Sequence, residues 1–415
     1  MPPAWFLAAL PWIAFPVALL WRGRERSDLG DYAPAAPGAG GAGAVQDAGD
    51  IPEAGDIHAA DRAPLVSIVL PARNEARNIE ACVRSILTTT WPSVEIFVVN
   101  DNSTDGTGDI ARRVAAGDAR VTVIDAPPLA DGWFGKQWAC HQAVQRARGG
   151  HLFFTDADTR HSPELLARML GAMRARGAAM LSVAGLQLAE TFWERLIQPQ
   201  VFTLIMMRYG SVERMSRSTN PLGKIVNGQC FVVTRAAYDR VGGHAAVRDN
   251  VAEDLRLAQE VTRAGESVQM VEGPDFIKTR MYEGLGELMR GWGKNVYAAG
   301  RDTVRLGPFG QKVLRATYPI PPLWNVVPFV AAVLALAGVL PASVLWWGLT
   351  CYVAFGLFEL VVMAVSRVPL WYAALHPLAG VMMFVLFARA AWRGQRVEWK
   401  GRNYISASPS TPGGA

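Results

Sequence analysis

Asp156 and Asp158 are the residues whose type and spacing most suggest chemistry: two carboxylates one residue apart, closing the apolar run His151-Leu-Phe-Phe-Thr155. Apolar residues at consecutive positions, with no helical period, read as a strand buried on both faces, the kind found in parallel sheets. On an extended chain Asp156 and Asp158 point the same way while Ala157 points back, and ligands of open α/β sheets bind outside the carboxyl ends of the strands. Two like-facing carboxylates offer hard oxygen ligands suited to Mg2+ or Mn2+, with water and substrate phosphates completing the shell. The same spacing also arises by chance in a chain this long, and two aspartates on a solvated turn are the plainer reading of the pair alone.

The elements around the pair raise its standing. Val66-Ser-Ile-Val-Leu70 breaks at Pro71-Ala-Arg-Asn-Glu75, and Glu95-Ile-Phe-Val-Val99 breaks at Asn100-Asp-Asn-Ser-Thr-Asp-Gly-Thr107. Between these runs Ile79, Cys82, Val83, Ile86 and Leu87 recur at helical spacing. A helical stretch to about Ala116, a short strand Val121–Ile124 and a helix with Ala139, Ala143, Val144 and Ala147 follow. Ser162-Pro163 offers an N-cap and first-turn proline for a helix after the acidic pair. This alternation predicts an α/β fold with a doubly wound, mostly parallel sheet, whose polar strand ends converge on one crevice. Arg73, Glu75, Asp101, Asp156 and Asp158 would then form a set able to hold a nucleoside, its ribose and a metal-bound diphosphate.

Further along, Ala252-Glu-Asp-Leu255 opens a helix with Leu255, Ala258 and Val261 on one face, ending near Gly265. A carboxylate in its first turn, Asp254, is ionised at neutral pH and suits the removal of a proton from a hydroxyl; helix starts also favour acidic residues without catalysis. The cations Arg290, Lys294 and Lys136 could neutralise charge on a departing diphosphate, and an interfacial basic-aromatic cluster that includes Trp292 is the alternative for the first two. Asn227 and Gln229 are candidates for sugar hydroxyl contacts or polar residues satisfied in a turn.

Composition places these elements in a membrane-attached chain of 415 residues, 51% apolar. The apolar residues concentrate at the two ends, and the middle is ordinary globular sequence. A net charge of +5 without long basic runs gives nucleic-acid binding little support, and basic residues beside the apolar ends suit anionic lipid. Cys82, Cys140, Cys230 and Cys351 have no metal-type spacing and read as free thiols in a reducing compartment. Residues 1–22 read as an amino-terminal anchor, apolar from Trp5 to Trp21 and followed at once by Arg22, Arg24 and Arg26, which predicts a cytoplasmic chain after it; a cleaved signal is the alternative. Residues 23–63, rich in Ala, Gly, Pro and Asp, read as a disordered tether, and 64–302 as the catalytic domain. Phe192–Tyr209 is apolar but interrupted, suiting an interfacial helix, an acceptor groove or an ordinary buried helix. Residues 303–392 hold an interfacial segment and apolar stretches at Leu323–Leu340, Val344–Val365 and Leu370–Ala391, ahead of a basic tail 393–415. Three crossings with a cytoplasmic catalytic domain would put that tail on the wrong side; four prolines, Pro319, Pro321, Pro322 and Pro328, crowd the first stretch, which could dip in and return or lie at the surface, leaving two crossings. Glu359 in the second stretch is costly in lipid and is expected to face a helix partner or an acceptor headgroup.

Pro71-Ala-Arg-Asn-Glu75, Val98-Val-Asn-Asp-Asn-Ser-Thr-Asp-Gly-Thr107, Asp156-Ala-Asp158 and Glu253-Asp254, in this order, resemble the family 2 glycosyltransferases of GT-A fold over about residues 65–300. Gly135-Lys-Gln-Trp-Ala139 and Arg290-Gly-Trp-Gly-Lys-Asn295 are similar to membrane-bound lipid glycosyltransferases, the hopanoid-associated enzymes and, more distantly, ceramide glucosyltransferases. The resemblance implies Pro71, Arg73, Glu75 and Asp101 around the nucleoside, Lys136, Arg290 and Trp292 at the diphosphate, and Asp158 on a divalent metal. It implies Asp156 on the ribose or on the metal through water, and Asp254 as base. Asn100 departs from the pattern, since many relatives carry an aspartate there. Processive relatives read Gln-x-x-Arg-Trp; here Glu287 replaces the Gln and Gly291 separates Arg290 from Trp292, which favours a single transfer.

The expected activity is transfer of one sugar from a nucleotide-diphosphate sugar to a hopanoid- or sphingolipid-like membrane acceptor, metal-dependent and inverting. The expected setting is a multi-pass protein of a bacterial-type inner membrane with its catalytic domain cytoplasmic. Rival readings are transfer to a polyprenyl phosphate, polysaccharide synthesis and a non-catalytic lipid-binding protein. Sugar-phosphate nucleotidyl transfer would call for a glycine-rich loop after the first strand, and Pro71–Glu75 holds no glycine.

Overall fold

The computed structural model of the chain describes residues 3–36, 63–250, 252–293 and 319–393, with short pieces at 310, 313, 316–317, 396–399 and 402–405. It divides into two compact units, one of residues 1–25, 188–211 and 280–415, the other of residues 26–187 and 212–279. Helix α1 (Ala4–Arg22) opens the chain. Then come β1 (Val66–Ala72), α2 (Ile79–Leu87), β2 (Val94–Asn100), α3 (Thr107–Ala115), β3 (Val121–Asp125), α4 (Gly135–Val144) and β4 (His151–Thr155). They are followed by β5 (Thr159–His161), α5 (Leu165–Arg176), β6 (Met180–Ala184), β7 (Leu186–Gln187), α6 (Phe192–Tyr209) and α7 (Val212–Arg217). Next are β8 (Cys230–Thr234), α8 (Arg235–Arg240), α9 (Gly243–Ala246), α10 (Glu253–Arg263), β9 (Val268–Glu272) and β10 (Ile277–Thr279). Helices α11 (Val326–Leu336), α12 (Ala342–Val365) and α13 (His376–Arg393) lie towards the carboxyl end.

The expected mixed α/β fold with a mostly parallel sheet is what forms. The sheet has seven strands in the order β3-β2-β1-β4-β8-β6-β9, and β8 alone runs antiparallel to its neighbours. Consecutive apolar residues serve both faces because side chains alternate along a strand. Val66, Ile68, Leu70 and Phe153 pack with α2 and α5 on one side, while Val69, Leu152 and Phe154 pack with α4 and α10 on the other. Each such side chain contributes roughly 1.5–3 kcal/mol by leaving water. Register then fixes where the chemistry falls. Ala72 lies beside Asn100, and Val69 beside Phe154, so β1, β2 and β4 end at one edge of the sheet.

Three expectations are corrected here. Helix α5 starts at Leu165 with Glu164 as N-cap, not at Ser162-Pro163. The Ser162 N–H is bonded to the Phe276 carbonyl (2.7 Å) and the Pro163 carbonyl accepts from Thr90 N–H (2.9 Å), so both residues are tied to other segments. The start of the supposed tether is folded as well. Leu29 is fully buried in the core, Glu272 N–H donates to the Ser27 carbonyl (2.8 Å), and Arg176 donates to the Tyr32 hydroxyl (2.6 Å) and Ser27 Oγ (2.7 Å). Residues 37–62 lie outside the described part. Finally, residues 188–211 and 280–293 group with the apolar helices rather than with the sheet, so the sheet unit is smaller than the stretch 64–302.

Among the described residues, the other unit has three helices long and apolar enough to cross a membrane, Ala4–Arg22, Ala342–Val365 and Leu370–Trp392, and a shorter apolar one, Pro321–Leu336. Trp12 stacks on Trp324 at 4.2 Å between ring centres and donates to its carbonyl (3.0 Å). Glu359 is fully buried, and its Oε2 accepts from Gln200 Nε2 of α6 (2.8 Å), so it faces a helix partner.

Candidate active site

The loops after β1 and β2 are laced into one body. Arg73 Nη1 donates to the carbonyls of Asp101 (2.6 Å) and Asn102 (3.0 Å). Asn74 and Asn102 both have φ of 51°, in the left-handed region where asparagine is enriched. Asn74 Oδ1 accepts from Thr104 N–H (2.9 Å), Thr107 Oγ1 from Glu75 N–H (2.8 Å) and Asp105 Oδ2 from Ala76 N–H (2.9 Å). Asp101 is 1% exposed and its N–H donates to the Ala72 carbonyl (2.8 Å). Glu75 Oε2 accepts from Asn78 (3.0 Å). Pro71 stands at the half-buried penultimate position of β1, level with Val99.

Where β4 ends, charges crowd. Lys136, from the first turn of α4, sets its Nζ 2.8 Å from both Asp156 Oδ1 and Glu253 Oε1. Burial disfavours that ammonium, but the carboxylates of Asp156, Glu253 and Asp254 outweigh it and hold Lys136 well above the ordinary lysine value. Burial likewise pushes Glu253 up, and Lys136 overrides it, leaving Glu253 lowered. Asp156 stays raised, chiefly by burial and against the pull of Lys136. Asp158 is pushed up to about 8 by burial and then by the negative charges of Asp156 and Glu75. Its Oδ1 is buried without a hydrogen-bond partner. Asp254 is pushed up to about 6 by burial and then by Glu253, and its Oδ1 accepts from Leu255 N–H (2.8 Å). The start of α4 is tied to the loop ahead of α10 by Phe134 N–H on the Arg248 carbonyl (2.8 Å) and Gln137 Nε2 on the Asn250 carbonyl.

A divalent cation fits this donor set. An unpartnered carboxylate oxygen sits among Glu75, Asp156 and Asp158, and Lys136 is shared with Glu253. Among the described residues no group of three His, Cys, Asp or Glu forms a ready-made cage, so an ion here would draw part of its shell from phosphate and water.

The sheet unit thus contains Pro71, Arg73, Glu75, Asp101, Lys136, Asp156, Asp158 and Asp254. Arg290 and Trp292 belong to the other unit. Trp292 is buried there, edge-on to Phe202 (5.5 Å) and Tyr282 (6.1 Å), while Arg290 is exposed. Lys294 and Asn295 lie outside the described residues. Asn227 Nδ2 donates to the Val183 carbonyl (3.0 Å) and Gln229 Oε1 accepts from Gln187 (2.8 Å), as polar residues satisfied in a turn do. Two contributors went unassigned in the sequence. Glu253 stands in a quoted motif, but its pairing with Lys136 joins distant segments that no spacing rule connects. Gly228 interrupts Asn227-Gly-Gln229, and only its nearness to Asp254 gives it meaning.

Comparison with known proteins agrees with this fold. Residues 67–242 match the family model described as Glycosyl transferase family 2. A 4,4'-diaponeurosporenoate glycosyltransferase of Staphylococcus aureus (strain MRSA252) is 28% identical over 353 residues, covering 82% of this chain and 88% of that protein. The protein of that name from strain USA300 is 29% identical over 239 residues, covering 56% and 60%. A solved structure of a mannosyltransferase from Pyrobaculum calidifontis in complex with GDP-Man and Mn2+ shares the fold, with a TM-score of 0.51 at 19% identity over 94% of this chain and 95% of that one. Sheet order and the matched domain define a glycosyltransferase of GT-A fold. Residues 67–242 carry a family 2 glycosyltransferase domain.

Proposed function

We propose that this protein moves a single sugar, with inversion, from a nucleoside-diphosphate sugar to the polar end of a membrane lipid at the cytoplasmic face of a bacterial-type inner membrane. The observation that carries this reading is the acidic cluster at the common edge of β1, β2 and β4, where Asp158 keeps an unpartnered buried oxygen beside Asp156 and Glu75. In this reading Glu75 and Asp101 hold the nucleoside, with Pro71 and Arg73 shaping the wall through the laced loops. Asp158 binds Mg2+ or Mn2+, and Asp156 binds the ribose or reaches the ion through water. The ion supplies positive charge against the leaving diphosphate. Lys136 adds its own. Asp254, raised yet still largely ionised at neutral pH, takes the proton of an acceptor hydroxyl as the sugar carbon is attacked. The apolar helices, with Arg22, Arg24 and Arg26 after the first, support membrane attachment and the cytoplasmic side.

The acceptor in this reading is a hopanoid- or sphingolipid-like hydroxyl. A second reading draws on the relatives, whose name gives 4,4'-diaponeurosporenoate, a carboxylate by its ending, as their substrate. An acceptor that is already ionised needs no base. The test incubates membranes carrying the full chain with Mn2+ and labelled UDP-glucose, UDP-N-acetylglucosamine or GDP-mannose, then counts label in the lipid extract. Lipid-borne label released by mild alkali marks an ester and a carboxylate acceptor; alkali-stable label marks a glycoside. No label with any donor would sink both.

A further inference from the structure

The loop before β8 brings backbone against the side chain of Asp254. A Cβ built on Gly228 would stand 2.9 Å from Asp254 Cγ and 3.0 Å from Asp254 Cβ, with Oδ2 closer still. Contacts below 3.0 Å force something to shift, and here the nearest atoms include the stem of the side chain as well as its tip. Gly228 is not among the glycines of positive φ, so the residue is there for space and not for an unusual backbone.

Neither neighbour of Gly228 is free to retreat. Asn227 N–H donates to Ser182 Oγ (2.8 Å), its Nδ2 to the Val183 carbonyl (3.0 Å), and its carbonyl accepts from Cys230 N–H (3.1 Å). The Gln229 carbonyl accepts from Thr155 Oγ1 (3.0 Å) and from Asp156 N–H (3.3 Å), which joins this loop to the end of β4. Asp254 is held from its own side by Leu255 N–H on Oδ1 (2.8 Å), and the adjacent Glu253 by Lys136 (2.8 Å). A wall with both ends fastened sets how deep the carboxylate can sit.

We infer that Gly228 is a positioning residue for Asp254: the bare backbone at 228 lets the carboxylate occupy the place from which it meets the acceptor hydroxyl. The inference rests on the reading of Asp254 as base. With a methyl at 228 the pinned loop stays and the carboxylate moves. A misplacement of about 1 Å at a reacting group costs on the order of a hundredfold in rate.

The test uses the full-length chain in membranes or detergent, with Mn2+ and the labelled UDP- and GDP-sugars above. Gly228→Ala should lower kcat about a hundredfold, with the donor KM and the Mn2+-induced rise in Tm unchanged. In an Asp254→Asn background the same substitution should cost nothing further, because the group it displaces is already disabled. Gly228→Ala at the wild-type rate, or an equal loss in both backgrounds, would overturn the inference. Should Gly228→Ala unfold, the double variant Gly228→Ala/Asp254→Ala removes the colliding carboxylate and should recover the Tm of Asp254→Ala; failure to recover overturns the inference too. Failure of the base reading gives a different pattern, in which Asp254→Asn alone keeps full activity while the Tm comparison still judges the contact.

Discussion

Two carboxylates of the same sheet unit, the buried Glu95 and the half-buried Asp158, are treated in opposite ways. Glu95, on β2, accepts hydrogen bonds from Ser67 Oγ (2.7 Å), Arg148 N–H (2.6 Å), Arg148 Nε (3.2 Å) and Gly149 N–H (3.2 Å). Burial pushes its acidity down, and these donors more than offset that, so Glu95 stays below the ordinary glutamate value. Asp158, past the end of β4, has burial and like charge working together, and one of its oxygens has no donor. The first carboxylate is completed by the fold. The second is left for something outside the chain to complete, and buried polar groups left unsatisfied are costly enough that folds keep them for function.

Exchanging each carboxylate for its amide should therefore give mirrored results. Asp158→Asn is expected to lower lipid labelling by about a thousandfold or more, as losses of transition-state charge stabilisation do. Without the ion it should leave Tm unchanged at pH 7, because burial and like charge already keep Asp158 largely protonated there. Mn2+ should raise the Tm of the wild type and not that of Asp158→Asn, since only a site that binds the ion gains stability from it. A fall in Tm on Asp158→Asn would erase the contrast with Glu95.

Next in size is Asp254→Asn, expected to cost about a hundred- to ten-thousandfold with a hydroxyl acceptor. Its acidity near 6 sets the pH profile: kcat/KM should fall about tenfold per pH unit below that value and level off above it, as the carboxylate must be ionised to accept a proton. A profile flat down to pH 5 would count against the base.

Glu95→Gln should leave labelling near the wild-type level while removing about 1–3 kcal/mol of stability, because an amide offers one acceptor where several donors converge. Since folding lowers the pKa of Glu95, its contribution is fully present above the ordinary value of 4.5 and is lost as pH falls through the lowered value. The Tm difference between wild type and Glu95→Gln should accordingly persist from pH 8 to 5 and close only in more acid solution.

The contrast also separates what the sequence discloses from what it hides. The strands were legible because runs such as Val66–Leu70 and His151–Thr155 are apolar at consecutive positions, and that requires a sheet covered on both sides. Parallel connections then oblige their polar ends to meet at one edge, so Asp101 and Asp156 could be grouped before any coordinates existed. Pairings across the fold were hidden. Nothing local to Lys136 announces Glu253, and nothing local to Gly228 announces Asp254, because both contacts depend on where α10 lands. The early residues 26–36 looked like tether because they are small and polar on average. A single leucine, Leu29, and the hydroxyl of Tyr32 suffice to dock them.

Asn100 provides the smallest effect and the finest edge to the comparison. It stands at the end of β2, where its Nδ2 donates to Asp125 Oδ1 (2.7 Å) and its Oδ1 accepts from Ser103 N–H (3.2 Å). Asp125 is lowered first by that amide and also by Arg112 at 2.9 Å, a fully satisfied arrangement like that of Glu95. Family members with aspartate at this position would face a second carboxylate if they also had one at 125, so the asparagine here answers to its neighbour on β3. Asn100→Asp should therefore cost about 0.5–1 kcal/mol at pH 7, given how exposed the pair is. Salt should screen most of the loss, and the donor KM should change less than about threefold if the position serves the loop and not the base. Asn100→Asp/Asp125→Asn restores one amide and one carboxylate, and should return the Tm to within a degree of the wild type. A large KM change that the second substitution does not repair would move Asn100 from the scaffold into the donor site.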